Sequence, residues 1–339
     1  MKKKYNVAVL GATGMVGKEM MRVLEQRNFP VDRFLPLASS RTAGTTVKFK
    51  GKDYTVEEAK PESFKGIDIG LFSAGAKVSK VFAPEAVKAG AVVIDNTSQF
   101  RMQPDVPLIV PEINAHALKK HKGIIANPNC STAELVLVLK PIHDKAKIKR
   151  LVIATYQSTS GWGKEAVEEL MQQTKEIMAG REKVEVKVLP KQIAFNVFPQ
   201  IDVFLDNAYT KEEMKLVNET RKILEDDSIA ITATCVRVPV MIGHAEAVNI
   251  ETEKKITVKE VREILSKFPT IKVVDDPSKE EYPTPIDSAG IDDTLVGRIR
   301  EDISCKNGID LWIVSDNLRR GAALNAVLIA EKMIEMNLI

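Results

Sequence analysis

The chain has 339 residues, enough for two domains with a sizeable core each. Its 49 basic and 46 acidic residues are mixed along the chain and leave a net charge of +3, which argues against a nucleic-acid footprint or a membrane-binding face. No apolar run approaches the roughly 20 residues of a membrane span, the start lacks a signal-peptide layout, and three distant cysteines without C-x-x-C or H-x-x-x-H spacing suit a reducing cytoplasm and no metal site.

Lys2, Lys3 and Lys4 precede the first predicted strand, residues 6–10, and read as a solubilising cluster. A helix over 15–26, strands at 34–39 and 67–73, a helix over 78–88 and a strand at 91–95 follow. Near-continuous apolar strands separated by helices predict a parallel sheet covered on both faces. Residues 46–57 hold Gly51-Lys52 between two alternating runs and read as a hairpin insertion. A short strand at 123–126 precedes Asn127.

Beyond Cys130 the texture changes. A helix over 131–145, with Ser131 or Asn129 able to cap it, leads into longer β-branched strands at 150–158, 229–239, 246–251 and 309–315. Helices are predicted at 164–179, 211–225 and 258–267, and a polar loop at 278–285. This pattern predicts an α+β second domain with a mixed sheet, over 130–316, after an α/β, Rossmann-like domain over 1–129. An amphipathic helix, 317–339, is expected to return to the first domain.

Gly11, Thr13, Gly14, Met15, Val16 and Gly17 lie between a strand and a helix, the context that makes a glycine fingerprint credible for dinucleotide binding. The helix N-terminus would face the pyrophosphate. Where a carboxylate would hold an NAD ribose, the chain has Ser39, Ser40, Arg41 and Thr42. Hydroxyls and a guanidinium suit a 2′-phosphate, hence NADP; a plain polar loop is the bland alternative.

Cys130 sits between Asn129 and Ser131 at a strand–helix junction, where the helix dipole and unpaired N–H groups favour a thiolate. A lone Cys is more often a small buried hydrophobe. Cys235, inside an apolar strand, fits that description, and Cys305 reads as a loop or edge residue. His244 alone would read as structural. Arg237 interrupts an apolar strand and requires an anionic partner, internal or bound. Glu212 and Lys215 share a helical face, as an ordinary surface pair would; Glu213 competes for the same place.

Together, residues 11–17, 39–44, 95–98, 127–132, Tyr156-Gln157, Arg237 to His244 and 315–317 resemble the aspartate-β-semialdehyde dehydrogenase family, closest to its bacterial dimeric branch, in order along the whole chain. The resemblance implies reversible, NADP-dependent conversion of L-aspartyl 4-phosphate to L-aspartate 4-semialdehyde, the second step toward lysine/diaminopimelate, methionine, threonine and isoleucine. It implies Cys130 as nucleophile, His244 as acid–base residue and Gln157 as the group orienting the acyl carbon. Arg237 and Glu212 would bind the substrate carboxylate and amine, and Arg101, Asn129 and Lys215 the phosphate. Ser73, Gly75, Ser160, Gly161 and Asn317 would line the cofactor, and Trp162 is expected to point away from it. A cytoplasmic homodimer is the family expectation. N-acetylglutamyl-phosphate reductase is the nearest rival, but its Cys usually follows His-Pro-Gly, not Asn127-Pro128-Asn129. A silent NADP-binding subunit would lack the nucleophile or base.

Overall fold

The computed structural model describes residues 3–339, so Lys2 of the basic cluster lies outside the described residues. Residues 1–129 with 321–339 form one compact unit, and 130–320 the other.

The first unit begins with β1 (Tyr5–Leu10), α1 (Met15–Gln26), β2 (Val31–Ala38), β3 (Thr46–Phe49), β4 (Lys52–Thr55) and β5 (Glu57–Glu58). It continues through β6 (Ile69–Phe72), α2 (Ala76–Lys88), β7 (Val92–Asp95), α3 (Pro111–Asn114) and β8 (Ile124–Ala126). Six strands pair in parallel in the order β5-β2-β1-β6-β7-β8. The central strands β1, β6 and β7 are buried on both faces and carry apolar residues at nearly every position, as in the fully buried IGLF of β6. The predicted insertion is the hairpin β3–β4, and β5 adds to the edge of β2.

The second unit comprises α4 (Cys130–Ala146), β9 (Ile148–Gln157), α5 (Lys164–Met178), α6 (Lys211–Leu224), β10 (Ala230–Arg237), β11 (His244–Thr252) and α7 (Val258–Lys267). Then come β12 (Ile271–Val273), α8 (Pro285–Ser288), β13 (Thr294–Glu301) and β14 (Gly308–Ser315). The sheet order β10-β9-β11-β14-β13-β12 mixes parallel outer pairs with antiparallel inner ones. This is the mixed α+β arrangement expected from the strand texture. One face of its centre carries Val152, Ala154, Ala247 and Trp312 around a cavity of about 540 Å³.

Strand β13 and the last helix differ from expectation in instructive ways. The eight residues of β13 escaped prediction because Arg298, Arg300 and Glu301 break its apolar pattern, and a bulge between Gly297 and Arg300 puts Arg298 at a φ of 54°. The last helix does not run unbroken from 317: Arg319–Ala323 winds as a π-turn before α9 (Leu324–Glu335). The helix α9 buries Leu324, Val327, Ala330 and Met333 in one core with Met20, Val23 and Leu24 of α1. Among the described residues no helix is long and apolar enough to cross a membrane.

Candidate active site

In the second unit the ends of three adjacent strands bring together Gln157 (end of β9), Arg237 (end of β10) and His244 (start of β11). All three are buried. Cys130 is the first residue of α4 and partly exposed. Ser131 therefore lies inside the first turn and is not the cap; buried Asn129 immediately precedes the helix.

Helix α6 adds Glu212 and Lys215. Its capping box fixes the phase: Thr210 Oγ1 accepts from the Glu213 N–H at 3.3 Å, and the Thr210 N–H donates to Glu213 Oε2 at 2.6 Å. Glu213 also accepts the Cys235 N–H at 3.0 Å. With Glu213 spent on the cap, Glu212 is the acid that faces the cluster. Gln157 Nε2 donates to Glu212 Oε1 at 3.3 Å, and Lys215 Nζ donates to Glu212 Oε2 at 2.9 Å and Asp202 Oδ2 at 3.0 Å.

Arg237 is 2% exposed; its Nη1 donates to the Ser158 carbonyl at 2.5 Å, and among the described residues its Nε has no partner. Burial pulls its pKa down from the usual guanidinium range, while the charges of Glu212 and then Cys130 oppose that. Burial, followed by Arg237, pushes the His244 imidazole down to about 3, so the ring is neutral at physiological pH. The Ser158 N–H donates to His244 Nδ1 at 3.1 Å, which assigns the neutral ring's proton to Nε2. Nε2 has no partner among the described residues. Gly161 closes over these groups: a Cβ there would stand 3.1 Å from both Arg237 Nη1 and His244 Nε2.

Asn317 organises this edge. Its Oδ1 accepts from Ser158 Oγ at 3.1 Å, Ser160 Oγ at 3.2 Å and the Gly243 N–H at 3.0 Å, and its Nδ2 donates to Ser160 Oγ at 2.9 Å. What Asn317 and Ser160 offer a ligand is thus chiefly the placement of the 158–161 segment. Trp162, 43% exposed, follows that turn.

The first unit holds the other expected residues. Gly14 precedes α1, no side chain caps the helix, and no acid occupies its first turn, the setting that receives a phosphate. A Cβ at Gly17 would collide with the Gly11 carbonyl oxygen, so the Gly11–Gly17 turn closes only with glycine there. Thr13 Oγ1 bonds Thr42 Oγ1 at 3.3 Å, joining the glycine turn to the β2 exit, and Met15 and Val16 open α1. Ser39, Ser40 and Arg41 are exposed just beyond β2, and Arg41 makes no ion pair among the described residues. Sequence reasoning did not anticipate that β5 sets Glu57 and Glu58 beside Leu37 and Ala38. Ser73 Oγ donates to the Leu10 carbonyl at 3.4 Å, and Gly75 precedes α2 at a φ of 94°. These residues fit a dinucleotide. Arg101 is buried, donating to the carbonyls of Asn127 at 2.9 Å and Asn96 at 2.8 Å.

Sequence reasoning also missed Ser158, Asp202, and the roles of Glu134 and Glu246. A signal existed for Glu134: it is the one charged residue in the apolar run 133–139, a turn after Cys130.

The chain matches two family models, the semialdehyde dehydrogenase NAD-binding domain over residues 6–121 and the semialdehyde dehydrogenase dimerisation domain over 139–320. It is 54% identical to the aspartate-semialdehyde dehydrogenase of Aquifex aeolicus over 99% of both chains. The crystal structure of aspartate semialdehyde dehydrogenase II of Vibrio cholerae, described as complexed with ASA, aligns with a TM-score of 0.96 at 48% identity, covering 98% of this chain and 99% of that one. The Candida albicans enzyme, solved with NADP, aligns with a TM-score of 0.76 at 28% identity over 99% of this chain and 100% of that one.

Proposed function

Since the chain belongs to the aspartate-semialdehyde dehydrogenase family, we propose that it reduces L-aspartyl 4-phosphate to L-aspartate 4-semialdehyde with NADPH, reversibly, through a thioester on Cys130. The observation that carries this reading is the convergence of a buried guanidinium, a buried carboxylate, a neutral imidazole and a thiol-bearing helix start in one unit.

Arg237 holds the substrate α-carboxylate and Glu212 its amine, a pairing suited to an amino acid with both groups free. The Cys130 sulfur attacks the acyl phosphate carbon, a C–S bond forms, and the bond from that carbon to the bridging oxygen breaks, its electron pair leaving with the phosphate. Two covalent steps replace one difficult displacement. Gln157 orients the acyl group with its amide. His244 presents Nε2–H to the oxygen that becomes negative, then serves as the local acid–base group. NADPH, when bound, supplies the hydride; the glycine turn and Arg41 are its proposed holders. Arg101, Asn129 and Lys215 are assigned the phosphate, and the dimerisation-domain match supports a homodimer.

Assay of NADP reduction with phosphate and either L-aspartate 4-semialdehyde or its N-acetylglutamate counterpart tests this function. Turnover is expected with the aspartate compound; turnover only with the N-acetylated one would transfer the chain to the rival activity, in which Glu212 has no amine to meet.

Gly17→Ala provides a separate test of the cofactor cradle. Forcing the turn open costs about 1–3 kcal/mol, which corresponds to roughly tenfold or more in NADPH affinity, read by fluorescence titration. Wild-type affinity in that variant would dismiss the tight turn as the pyrophosphate site.

A further inference from the structure

Two carboxyl groups without a role in the reaction above lie in the wall that carries Cys130. Glu134 stands one turn after Cys130 on α4, so the two side chains share a helical face. Glu246 stands two residues after His244 on β11 and so shares its strand face. Both acids are 0% exposed. Each carboxyl is among the groups that shift the other's ionisation, and Ser131 is among those that act on Glu246. Among the described residues no N–H group donates to any of the four oxygens. Two neighbouring carboxylates buried without donors repel each other and leave their oxygens unsatisfied, and one proton held between them relieves both costs.

We propose that Glu134 and Glu246 hold a single shared proton and act as a positioning pair that sets the ionisation of Cys130, an inference that rests on Cys130 being the nucleophile. With its proton the pair carries one negative charge. Losing the proton places a second negative charge one turn from the sulfur, where like charges oppose each other. The thiolate and the doubly ionised pair therefore exclude one another. The charged groups facing the pair are also acidic: Cys130 on its own helix, Glu212 from α6, and Asp316 just after β14. Arg237 interacts with Cys130 and Glu212, and His244 is neutral.

Burial, the largest cause for both acids, holds Glu246 up at about 8 and Glu134 well above the carboxylate range. A carboxyl raised in the folded state adds stability below its unfolded value and loses it as pH rises through the folded value. That contribution is therefore full below about 4.5 and is lost as pH rises to about 8. Below about 8 the proton stays, and the site accommodates a thiolate.

The test is alkylation of the full-length protein by iodoacetamide across this range and above, followed on the Cys130 peptide by mass spectrometry. Glu134→Gln and Glu246→Gln each reproduce the singly protonated pair, because the amide donates where the shared proton did and cannot ionise. The wild-type rate is expected to flatten near pH 8, whereas either variant rises in a single step. At pH 9 the variants should react roughly three- to tenfold faster than wild type. Superimposable pH curves for wild type and a folded variant would overturn the proposal. Infrared spectroscopy of the wild type at pH 7 gives a result independent of variant folding: a protonated-carboxyl stretch supports the shared proton, and its absence refutes it. If alkylation of Cys130 leaves turnover intact, the nucleophile assignment itself fails; if it abolishes turnover and the curves superimpose, only the pair's role fails.

Discussion

Replacing Cys130 with alanine is expected to lower turnover by about 10⁴-fold or more while leaving NADPH affinity within roughly twofold. No other thiol can take over. Cys235 lies inside β10, fully buried, where burial drives its thiol far above the usual range, and its N–H is bound to the cap residue Glu213. Cys305 lies in the turn between β13 and β14, away from the strand ends that carry Gln157, Arg237 and His244. Cys130 alone combines partial exposure with the N-terminal residue of a 17-residue helix, where the backbone N–H groups stabilise a thiolate. Because the glycine turn belongs to the other unit, removing the sulfur leaves its fold untouched. Steady-state assay beside a fluorescence titration checks both halves; near-normal turnover in the alanine variant would refute the nucleophile assignment.

Much of this was legible from local pattern. The helices at 15–26 and 258–267 match their predicted bounds to the residue; a glycine turn bounds the start of the first, and in the structure a Thr257–Glu260 capping box bounds that of the second. Strand β13 was illegible because its charged residues follow a bulge and not an alternation. The π-turn at 319–323 has the composition of an ordinary helix, so only the fold reveals it. Within the site, Gln157 and His244 stand out only through the family resemblance and Arg237 also as a charge in an apolar strand, while their tie to one another through Ser158 is tertiary. The sequence does separate Glu212 from Glu213: Thr210-x-x-Glu213 is a capping-box signature, and an acid used at N3 is not free for a ligand. Glu134 and Glu246, over a hundred positions apart, gave no joint signal at all.

Arg237→Lys is expected to raise KM for the semialdehyde about 30- to 100-fold while changing kcat less than tenfold and leaving KM for NADP unaltered. A fork that grips a carboxylate through two charge-assisted bonds loses about 2–3 kcal/mol when replaced by a point charge, and each 1.4 kcal/mol is roughly tenfold in affinity. The competing view is that Arg237 is internal scaffolding, donating to the Ser158 carbonyl at 2.5 Å and balancing Glu212. The two views predict different numbers. Scaffolding alone would cost stability and disturb His244, since the Ser158 N–H positions that ring, so kcat would fall with KM nearly constant. Carboxylate binding instead puts the loss in KM, because the Arg237 Nε has no partner among the described residues and the fork has capacity left for a ligand. Measuring the two constants separately, with a melting curve as control, decides between them: an unchanged KM in a well-folded lysine variant would exclude Arg237 as the carboxylate-binding group and leave the substrate's α-carboxylate to be sought at another cation.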